Sequence, residues 1–206
     1  MPSQRLTVFI IDDDPSVRDS LSLRLGIEGF RTALFADAEA FLAALQPEWA
    51  GCIVADIKLP GASGLEMQAE LQRRGVGIPV VVITAHGDID SARTAFRASA
   101  VDFLPKPFET EQLLQAIGRA FESEELRLQG EESRRDEIVK LARLTARERE
   151  VLDRVARGLH AKEIAAELGI SPRTVEVHKA RIMEKLDARN AAELVRFVVL
   201  GAGAAR

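Results

Sequence analysis

Few residues in this chain could form disulfides or bind a soft metal. The 206 residues include one cysteine, Cys52, and three histidines. A single cysteine cannot form an internal disulfide or supply the several thiolates of a structural zinc site, so both are excluded. Cys52 lies inside an apolar run, and we therefore expect it to be a small buried hydrophobic residue.

Long hydrophobic runs are absent as well. No stretch reaches the roughly 18 consecutive apolar residues that a membrane-spanning helix needs. Residues 1–5 lead straight into a short strand-like run, without a signal-peptide core. With 47% hydrophobic and 29% charged residues, the composition is typical of a globular protein. We expect a cytoplasmic protein that has no membrane partner.

Charge is unevenly distributed along the chain. Residues 1–121 carry 11 basic and 16 acidic side chains, residues 122–140 carry 4 and 7, and residues 141–206 carry 13 and 9. A basic C-terminal region favours an anionic polymer such as nucleic acid as its partner, although a solvated helical face would carry the same charge. We divide the chain at these positions into an N-terminal domain (1–121), a linker (122–140) and a C-terminal domain (141–206).

Short apolar runs alternate with helix-like segments in the N-terminal domain. The runs, predicted to be strands, are residues 6–11, 31–35, 51–55, 79–83 and 101–104. The helical segments are residues 15–25, 37–45, 65–71, 88–98 and 109 onward. Strands that are apolar at nearly every position and alternate with helices predict a doubly wound (βα)5 fold, with a parallel sheet covered on both faces.

Polar residues follow four of these runs. They lie at the carboxyl ends of the predicted strands, which is where doubly wound sheets bind their ligands. Asp12 and Asp13 come after the first run, Asp56 after the third, Thr84 after the fourth and Lys106 after the fifth. Clustered carboxylates repel one another unless a cation lies among them, and their hard oxygens suit Mg²⁺. The threonine and lysine could bind an anion, so this edge predicts a metal-bound phosphoryl group with a carboxylate as its nucleophile.

Three neighbours of this edge are given simpler roles. Asp14 precedes Pro15, which is typical of a helix N-cap followed by proline at the first helical position. His86 has no visible partner, and we interpret it as an incidental loop residue. The Lys106–Pro107 bond lies where it would direct the lysine over the site, and we hypothesise that it is cis.

Four motifs together resemble the receiver domain of two-component response regulators over residues 5 to about 121. They are Ile10-Ile11-Asp12-Asp13-Asp14, Asp56 with Pro60-Gly61, Thr84-Ala85, and Lys106-Pro107-Phe108. The resemblance implies that Asp56 accepts a phosphoryl group from a phosphohistidine on a sensor histidine kinase. It also implies that the chain is not a metabolic enzyme, but catalyses this transfer to itself and slowly dephosphorylates itself.

The resemblance assigns a role to each residue of the site. Asp12 and Asp13 match the acidic pair of the metal site, in which Asp13 and Asp56 coordinate Mg²⁺ together with the backbone carbonyl of Lys58. The other matched positions are Thr84, which bonds a phosphoryl oxygen, Lys106, which pairs with that group, and Phe103, the aromatic switch residue.

Helical spacing continues from the fifth predicted helix into the linker. Leu114, Ile117, Phe121 and Leu128 have coiled-coil-like spacing, but charged residues such as Glu124 interrupt the seam. Gly130 and the charged run 131–137 indicate either a solvated helix or a flexible chain. We favour the helix.

The C-terminal domain has the pattern of a helix-turn-helix. Thr145 and Glu148 form a capping box at the start of one helix. A second helix over 161–168 stops at Gly169, and Ser171-Pro172 caps a third that runs to about Leu186. Two helices joined by a short glycine-containing turn, in a basic segment, predict that the second of them enters the major groove of DNA.

One face of this last helix is predicted to meet DNA. At 100° per residue, Val175, Ile182 and Leu186 point the same way and should face the core. His178 lies nearer that side and is interpreted as a packing residue. Glu176 and Glu184 lie on the opposite side, where carboxylates are unfavourable beside a polyanion. Predicted DNA-binding residues are Arg173, Thr174, Val177, Lys179, Ala180 and Arg181, with Lys162 from the preceding helix.

Among these, the two arginines could bind phosphates or guanines, and Val177 could contact a thymine methyl group.

Residues 144 to about 200 resemble the DNA-binding domain of the NarL/LuxR/FixJ class. The motifs are Leu144-Thr145-x-Arg147-Glu148, Lys162-Glu163-Ile164-Ala165 and the run 171–178. The whole chain is most similar to FixJ-like and StyR-like regulators. This implies that phosphorylation promotes a homodimer that binds double-stranded promoter DNA, and it leaves room for RNA polymerase as a partner. A final helix over about 191–200 would help to pair two domains, or its valines 195, 198 and 199 are ordinary core.

Two other functions fit parts of the sequence. A Mg²⁺-dependent phosphohydrolase could use Asp56 as its nucleophile, but Lys58 stands where such an enzyme would need a second carboxylate. A constitutive DNA-binding protein with a purely structural N-terminal domain would explain the basic region but not the acidic cluster.

Overall fold

The structure, a computed structural model, describes residues 6–85 and 100–204. The chain divides into two compact units, Met1–Leu128 and Gln129–Arg206. The predicted helix over 88–98 and His86 lie outside the described residues. None of the helices in the described ranges is long and apolar enough to cross a membrane.

The first unit contains a five-stranded parallel sheet with the order β2-β1-β3-β4-β5. Its strands are β1 (Thr7–Ile11), β2 (Arg31–Phe35), β3 (Gly51–Asp56), β4 (Val80–Thr84) and β5 (Asp102–Pro105). Every residue of β3 and β4 is buried, because both faces of the central sheet are covered. The predicted doubly wound fold is confirmed.

Four helices of this unit are described: α1 (Pro15–Ile27), α2 (Ala38–Ala44), α3 (Gly64–Arg73) and α4 (Thr110–Ala142). Alternate residues of β1 face opposite sides of the sheet. Val8 and Ile10 pack into a core with residues of α1 and α4, while Phe9 and Ile11 pack into a second core with residues of α2 and α3. Asp14 caps α1 by accepting a hydrogen bond from the Ser16 backbone, as predicted.

Strand order reverses at β1, which pairs with β2 on one side and β3 on the other. Ile11 lies opposite Ala55, so the residues that follow them, Asp12 and Asp56, leave the sheet side by side. Ligands of doubly wound sheets bind outside the strand ends at such a reversal. The topology therefore gathers the predicted site between β1 and β3.

The helix α4 runs without a break through residues 122–140 and includes Gly130. Leu113, Ile117 and Phe121 are buried in the core of the first unit. The coiled-coil-like spacing of Ile117 and Phe121 therefore reflects their packing against the sheet. The domain boundaries near residues 121 and 140 stay a prediction.

The second unit is helical, with α5 (Ala146–Ala156), α6 (Ala161–Leu168), α7 (Pro172–Leu186) and α8 (Ala191–Ala204) following the end of α4. The predicted capping box of Thr145 and Glu148 opens α5. Gly169, at a φ of 63°, ends α6 in the left-handed conformation that glycine adopts readily. On α8, Val198 packs into the core and Val195 is exposed.

Candidate functional site

An ammonium group bridges two carboxylates at the carboxyl ends of β1 and β3. The Nζ of Lys106 lies 2.8 Å from Oδ2 of Asp12 and 2.7 Å from Oδ2 of Asp56. Asp12 is 1% exposed and Asp56 is 7% exposed. Two buried carboxylates in one pocket repel each other, and the lysine offsets this repulsion by pairing with both.

Lys106 is held in its charged form. Burial acts to lower its pKa, but the hydrogen bonds to Asp12 and Asp56 outweigh that effect, and the pKa is raised above its ordinary value of 10.5. The pocket therefore keeps a positive charge beside Asp56 at neutral pH. Such a charge suits an anionic group attached to that carboxylate.

Backbone contacts fix the position of Lys106. Its backbone N–H donates to the carbonyl of Thr84 at 2.7 Å, which ties the loop after β5 to the end of β4. The Lys106–Pro107 peptide bond is cis, as predicted. Thr84 is 1% exposed and ends β4 at the same edge of the sheet.

The loop after β3 is shaped tightly around Asp56. Oδ1 of Asp56 accepts a hydrogen bond from the backbone N–H of Lys58 at 3.0 Å. A side chain at Gly64 could not fit, because its Cβ would lie 2.3 Å from the carbonyl oxygen of Asp56. The glycine therefore lets the start of α3 approach the end of β3 closely.

The loop after β1 has its own supports. Oδ1 of Asp12 accepts from the backbone N–H of Asp14 at 3.0 Å. Nη1 of Arg18 donates to the backbone carbonyl of Asp12 at 2.6 Å. No sequence motif indicated Arg18, although its position four residues after the N-cap allows it to reach back over the first turn of α1.

The structure brings only part of the predicted site together. Asp12, Asp56 and Lys106 form one hydrogen-bonded group, whereas Asp13 is exposed and Phe103 is half-buried against the core on the α2 and α3 side. Within residues 6–85 and 100–204, no three His, Cys, Asp or Glu side chains are close enough to hold a metal ion. The carboxylates of Asp12 and Asp56 nevertheless both contact one cation, the ammonium group of Lys106. These carboxylate oxygens are hard donors of the kind that suits Mg²⁺.

The face of α7 that was predicted to contact DNA is exposed. Val175, Ile182 and Leu186 are buried, which confirms the predicted core side of the helix. Arg173, Val177, Ala180 and Arg181 are exposed on α7, Lys162 is exposed on α6, and Thr174 and Lys179 are half-buried. The surface combines cationic and apolar side chains, as a reader of the major groove requires.

The roles of two further α7 residues, Glu176 and His178, were less clearly indicated by the sequence. Glu176 pairs with Lys179 at 3.1 Å, so its negative charge is offset on the exposed face. His178 is half-buried, and its Nδ1 has no hydrogen-bond partner in the described part of the chain. This placement agrees with the interpretation of His178 as a packing residue.

Known proteins match both units. Residues 8–118 match the family of the response regulator receiver domain, and residues 142–198 match the luxR family of bacterial regulatory proteins. The transcriptional regulatory protein FixJ of Bradyrhizobium diazoefficiens is 40% identical over 192 residues, which cover 93% of this chain and 94% of that protein.

Solved structures agree with these matches. The response regulator StyR is 45% identical, with a TM-score of 0.80 over 94% of this chain and 98% of that chain. Full-length FixJ from B. japonicum is 38% identical, with a TM-score of 0.59 over 97% of this chain and 98% of that chain.

Proposed function

Because the chain belongs to the two-component response regulators with a LuxR-type DNA-binding domain, we propose that a sensor histidine kinase phosphorylates Asp56 and thereby controls promoter binding. The family consists of transcriptional regulators and not of metabolic enzymes. The observation that carries the proposal is the contact of Lys106 with both Asp12 and Asp56 in a buried pocket.

In the proposed reaction, a carboxylate oxygen of Asp56 attacks the phosphorus of a phosphohistidine. A P–O bond to Asp56 forms as the P–N bond breaks, and the imidazole of the kinase leaves. Lys106 already lies 2.7 Å from Asp56 and would pair with a phosphoryl oxygen after transfer. The hydroxyl of Thr84, at the end of the neighbouring strand, would bond another.

Asp12, Asp13, Asp56 and the backbone carbonyl of Lys58 are the groups that would hold Mg²⁺. The metal would offset the negative charge that builds up on the phosphoryl oxygens. The contact between Arg18 and the Asp12 carbonyl would keep the loop that carries Asp13 in place. Slow hydrolysis of the acyl phosphate at the same pocket would return the protein to its resting state.

The new dianionic group would draw Lys106 and Thr84 toward it and change the surface around β4, β5 and Phe103. We propose that this change promotes a homodimer, that the domain of residues 141–206 binds double-stranded promoter DNA, and that residues 122–140 link it to the receiver of residues 1–121.

The residues proposed to bind DNA lie on α7, with one on α6. They are Arg173, Thr174, Val177, Lys179, Ala180 and Arg181, with Lys162 on α6. Because promoter DNA is the proposed partner, we also propose a cytoplasmic location.

The test compares DNA binding by wild-type protein and Asp56→Asn, each with and without a small phosphodonor and Mg²⁺. We expect the treatment to raise the DNA affinity of the wild type and to leave that of the variant unchanged. Equal binding by both proteins under all conditions would contradict the proposal and favour a constitutive DNA-binding protein. Rapid turnover of a generic phosphomonoester would instead favour a phosphohydrolase.

A further inference from the structure

Two helices of the second unit and the end of α4 meet at one lysine. Lys185 lies in the last turn of α7, and its Nζ donates to Oε2 of Glu148 at 2.6 Å and to the backbone carbonyl of Arg143 at 3.3 Å. Glu148 lies in the first turn of α5, and Arg143 directly follows α4. A single ammonium group thus joins the end of α7 to the start of α5 and the end of α4.

The carboxylate of Glu148 is well suited to hold this lysine. Glu148 is 3% exposed, and the same Oε2 accepts the backbone N–H of Thr145 at 2.8 Å. Burial alone would raise the pKa of Glu148. The hydrogen bonds from Lys185 and Thr145 together outweigh burial, and the pKa is lowered below its ordinary value of 4.5. Loss of Lys185 would therefore leave a buried carboxylate without its cation, which is unfavourable.

Other contacts hold the end of α4 to α7 and α8. Lys140 lies 3.7 Å from Asp187, the residue that ends α7, and Arg196 of α8 pairs with Glu137. Leu141 packs against the core of this unit. The Lys140 pair is open to solvent, and exposed pairs contribute little. Lys185 differs from these residues because its partner is a buried carboxylate.

Lys185 also differs from the cations on the DNA-facing side of α7. Arg173 and Arg181 are exposed, whereas the ammonium of Lys185 is already engaged by Glu148 and by the Arg143 carbonyl. An ammonium with these partners is not free to neutralise a phosphate. Its effect on DNA binding would come from the position of α7.

We propose that Lys185 is a positioning residue, which holds the recognition helix α7 against the end of α4 and the start of α5 so that its exposed face fits the major groove. The inference rests on the proposed DNA-binding function. Sequence-specific binding requires α7 to be oriented within the groove, whereas non-specific binding depends mainly on phosphate contacts. Lys185 should therefore matter for specific affinity much more than for non-specific affinity.

The experiment uses the full chain and a duplex that the wild-type protein, treated with a small phosphodonor and Mg²⁺, selects from a random-sequence library. The variants are Lys185→Gln, Lys185→Arg and Arg181→Gln. Affinity for the selected duplex and for an unrelated duplex is measured by fluorescence anisotropy over a series of salt concentrations. Circular dichroism establishes that each variant remains folded.

For Lys185→Gln we expect about a 10-fold loss of affinity for the selected duplex, little change for the unrelated duplex, and an unchanged dependence on salt. Lys185→Arg keeps the charge and should bind within about 2-fold of the wild type. Arg181→Gln should weaken binding to both duplexes and reduce the salt slope by about 1.

Two outcomes would overturn the inference. The first is that Lys185→Gln binds the selected duplex as tightly as the wild type. The second is that Lys185→Gln reduces the salt slope as Arg181→Gln does, which would make Lys185 a phosphate contact. If Lys185→Gln does not fold, the double variant Glu148→Gln with Lys185→Gln, which buries no unpaired charge, is measured in its place with the same expectations. Failure of the wild type to select any duplex would contradict the proposed function itself.

Discussion

Glu124 on α4 accepts a hydrogen bond from the backbone N–H of Gly51, at the opposite end of the strand that carries Asp56. The distance is 3.3 Å, and Glu124 is fully buried. Two nitrogens of Arg127 donate to the same carboxylate at 2.7 and 2.8 Å. The strand β3 therefore ends in the proposed phosphoacceptor on one side and begins with a fixed contact to α4 on the other.

Replacement of Glu124 with alanine should destabilise the first unit by roughly 2 kcal/mol, because it leaves the buried Gly51 N–H without its acceptor and removes the carboxylate that pairs with Arg127. Arg127 is partly exposed and can be hydrated, which keeps the effect below that of a fully buried pair. Trp49, the only tryptophan in the chain, lies in this unit, so urea unfolding can be followed by its fluorescence. Glu125→Ala, at the exposed neighbouring position, should change stability by less than about 0.5 kcal/mol. Equal effects of the two substitutions would contradict the role given to Glu124.

Local residue patterns predict much of this fold, although they do not predict the buried contact of Glu124. Apolar residues at nearly every position of β3 and β4 indicate buried parallel strands, and the capping box of Thr145 and Glu148 is recognised from two side chains three residues apart. These signals are local. The sheet then brings Asp12 and Asp56 together, because Asp12 follows β1, Asp56 ends β3, and these two strands pair in register.

Contacts between distant polar side chains carry no comparable signal. Glu124 looks like a charge that interrupts an apolar seam, yet its carboxylate is buried because Gly51 and Arg127 satisfy it. Glu148 is recognisable as a capping residue, but its pairing with Lys185, 37 positions away, depends on how α5 and α7 pack. Such residues are determined by the tertiary structure and not by periodicity.

Removal of the positive charge at Lys106 should abolish the effect of phosphorylation on DNA binding. In Lys106→Met, nothing on the side chain can pair with a phosphoryl oxygen on Asp56, so the gain in DNA affinity after treatment with a phosphodonor should be lost. Lys58→Met is the matched control, because Lys58 is exposed and contacts Asp56 only through its backbone N–H. The gain is measured by anisotropy, and the acyl phosphate by intact mass. A Lys106→Met variant that keeps the full gain would show that Lys106 does not couple phosphorylation to output.

The stabilising effect of Glu148 should depend on pH. Its pKa is lowered in the folded state relative to the ordinary value of 4.5, so the unfolded state binds more protons in this range and stability rises with pH. The contribution is fully present above the ordinary value and is lost as the pH falls through the lower pKa of the folded state. The difference in unfolding free energy between wild type and Glu148→Gln should therefore shrink as the pH falls through and below 4.5.

Urea unfolding followed by the circular dichroism of the helices measures this difference. Glu150→Gln is the control, because Glu150 forms an exposed pair with Arg147 and should contribute little at any pH. A difference for Glu148→Gln that stays constant over the whole range would mean that the charge of this carboxylate has no part in holding Lys185.

Two glycines with open space around them should respond oppositely to alanine. Apart from the adjoining backbone, no atom lies within 4 Å of a Cβ built on Gly130 or on Gly169, so neither substitution causes a clash. Gly130 is inside α4, where alanine is a better helix former, and Gly130→Ala should stabilise the chain by about 0.5 to 1 kcal/mol. Gly169 has a φ of 63°, which strains any residue with a Cβ, and Gly169→Ala should destabilise the second unit by about 1 kcal/mol. Both values come from urea unfolding of the full chain. A destabilising Gly130→Ala would indicate that residues 129–131 do not keep a helical backbone in solution.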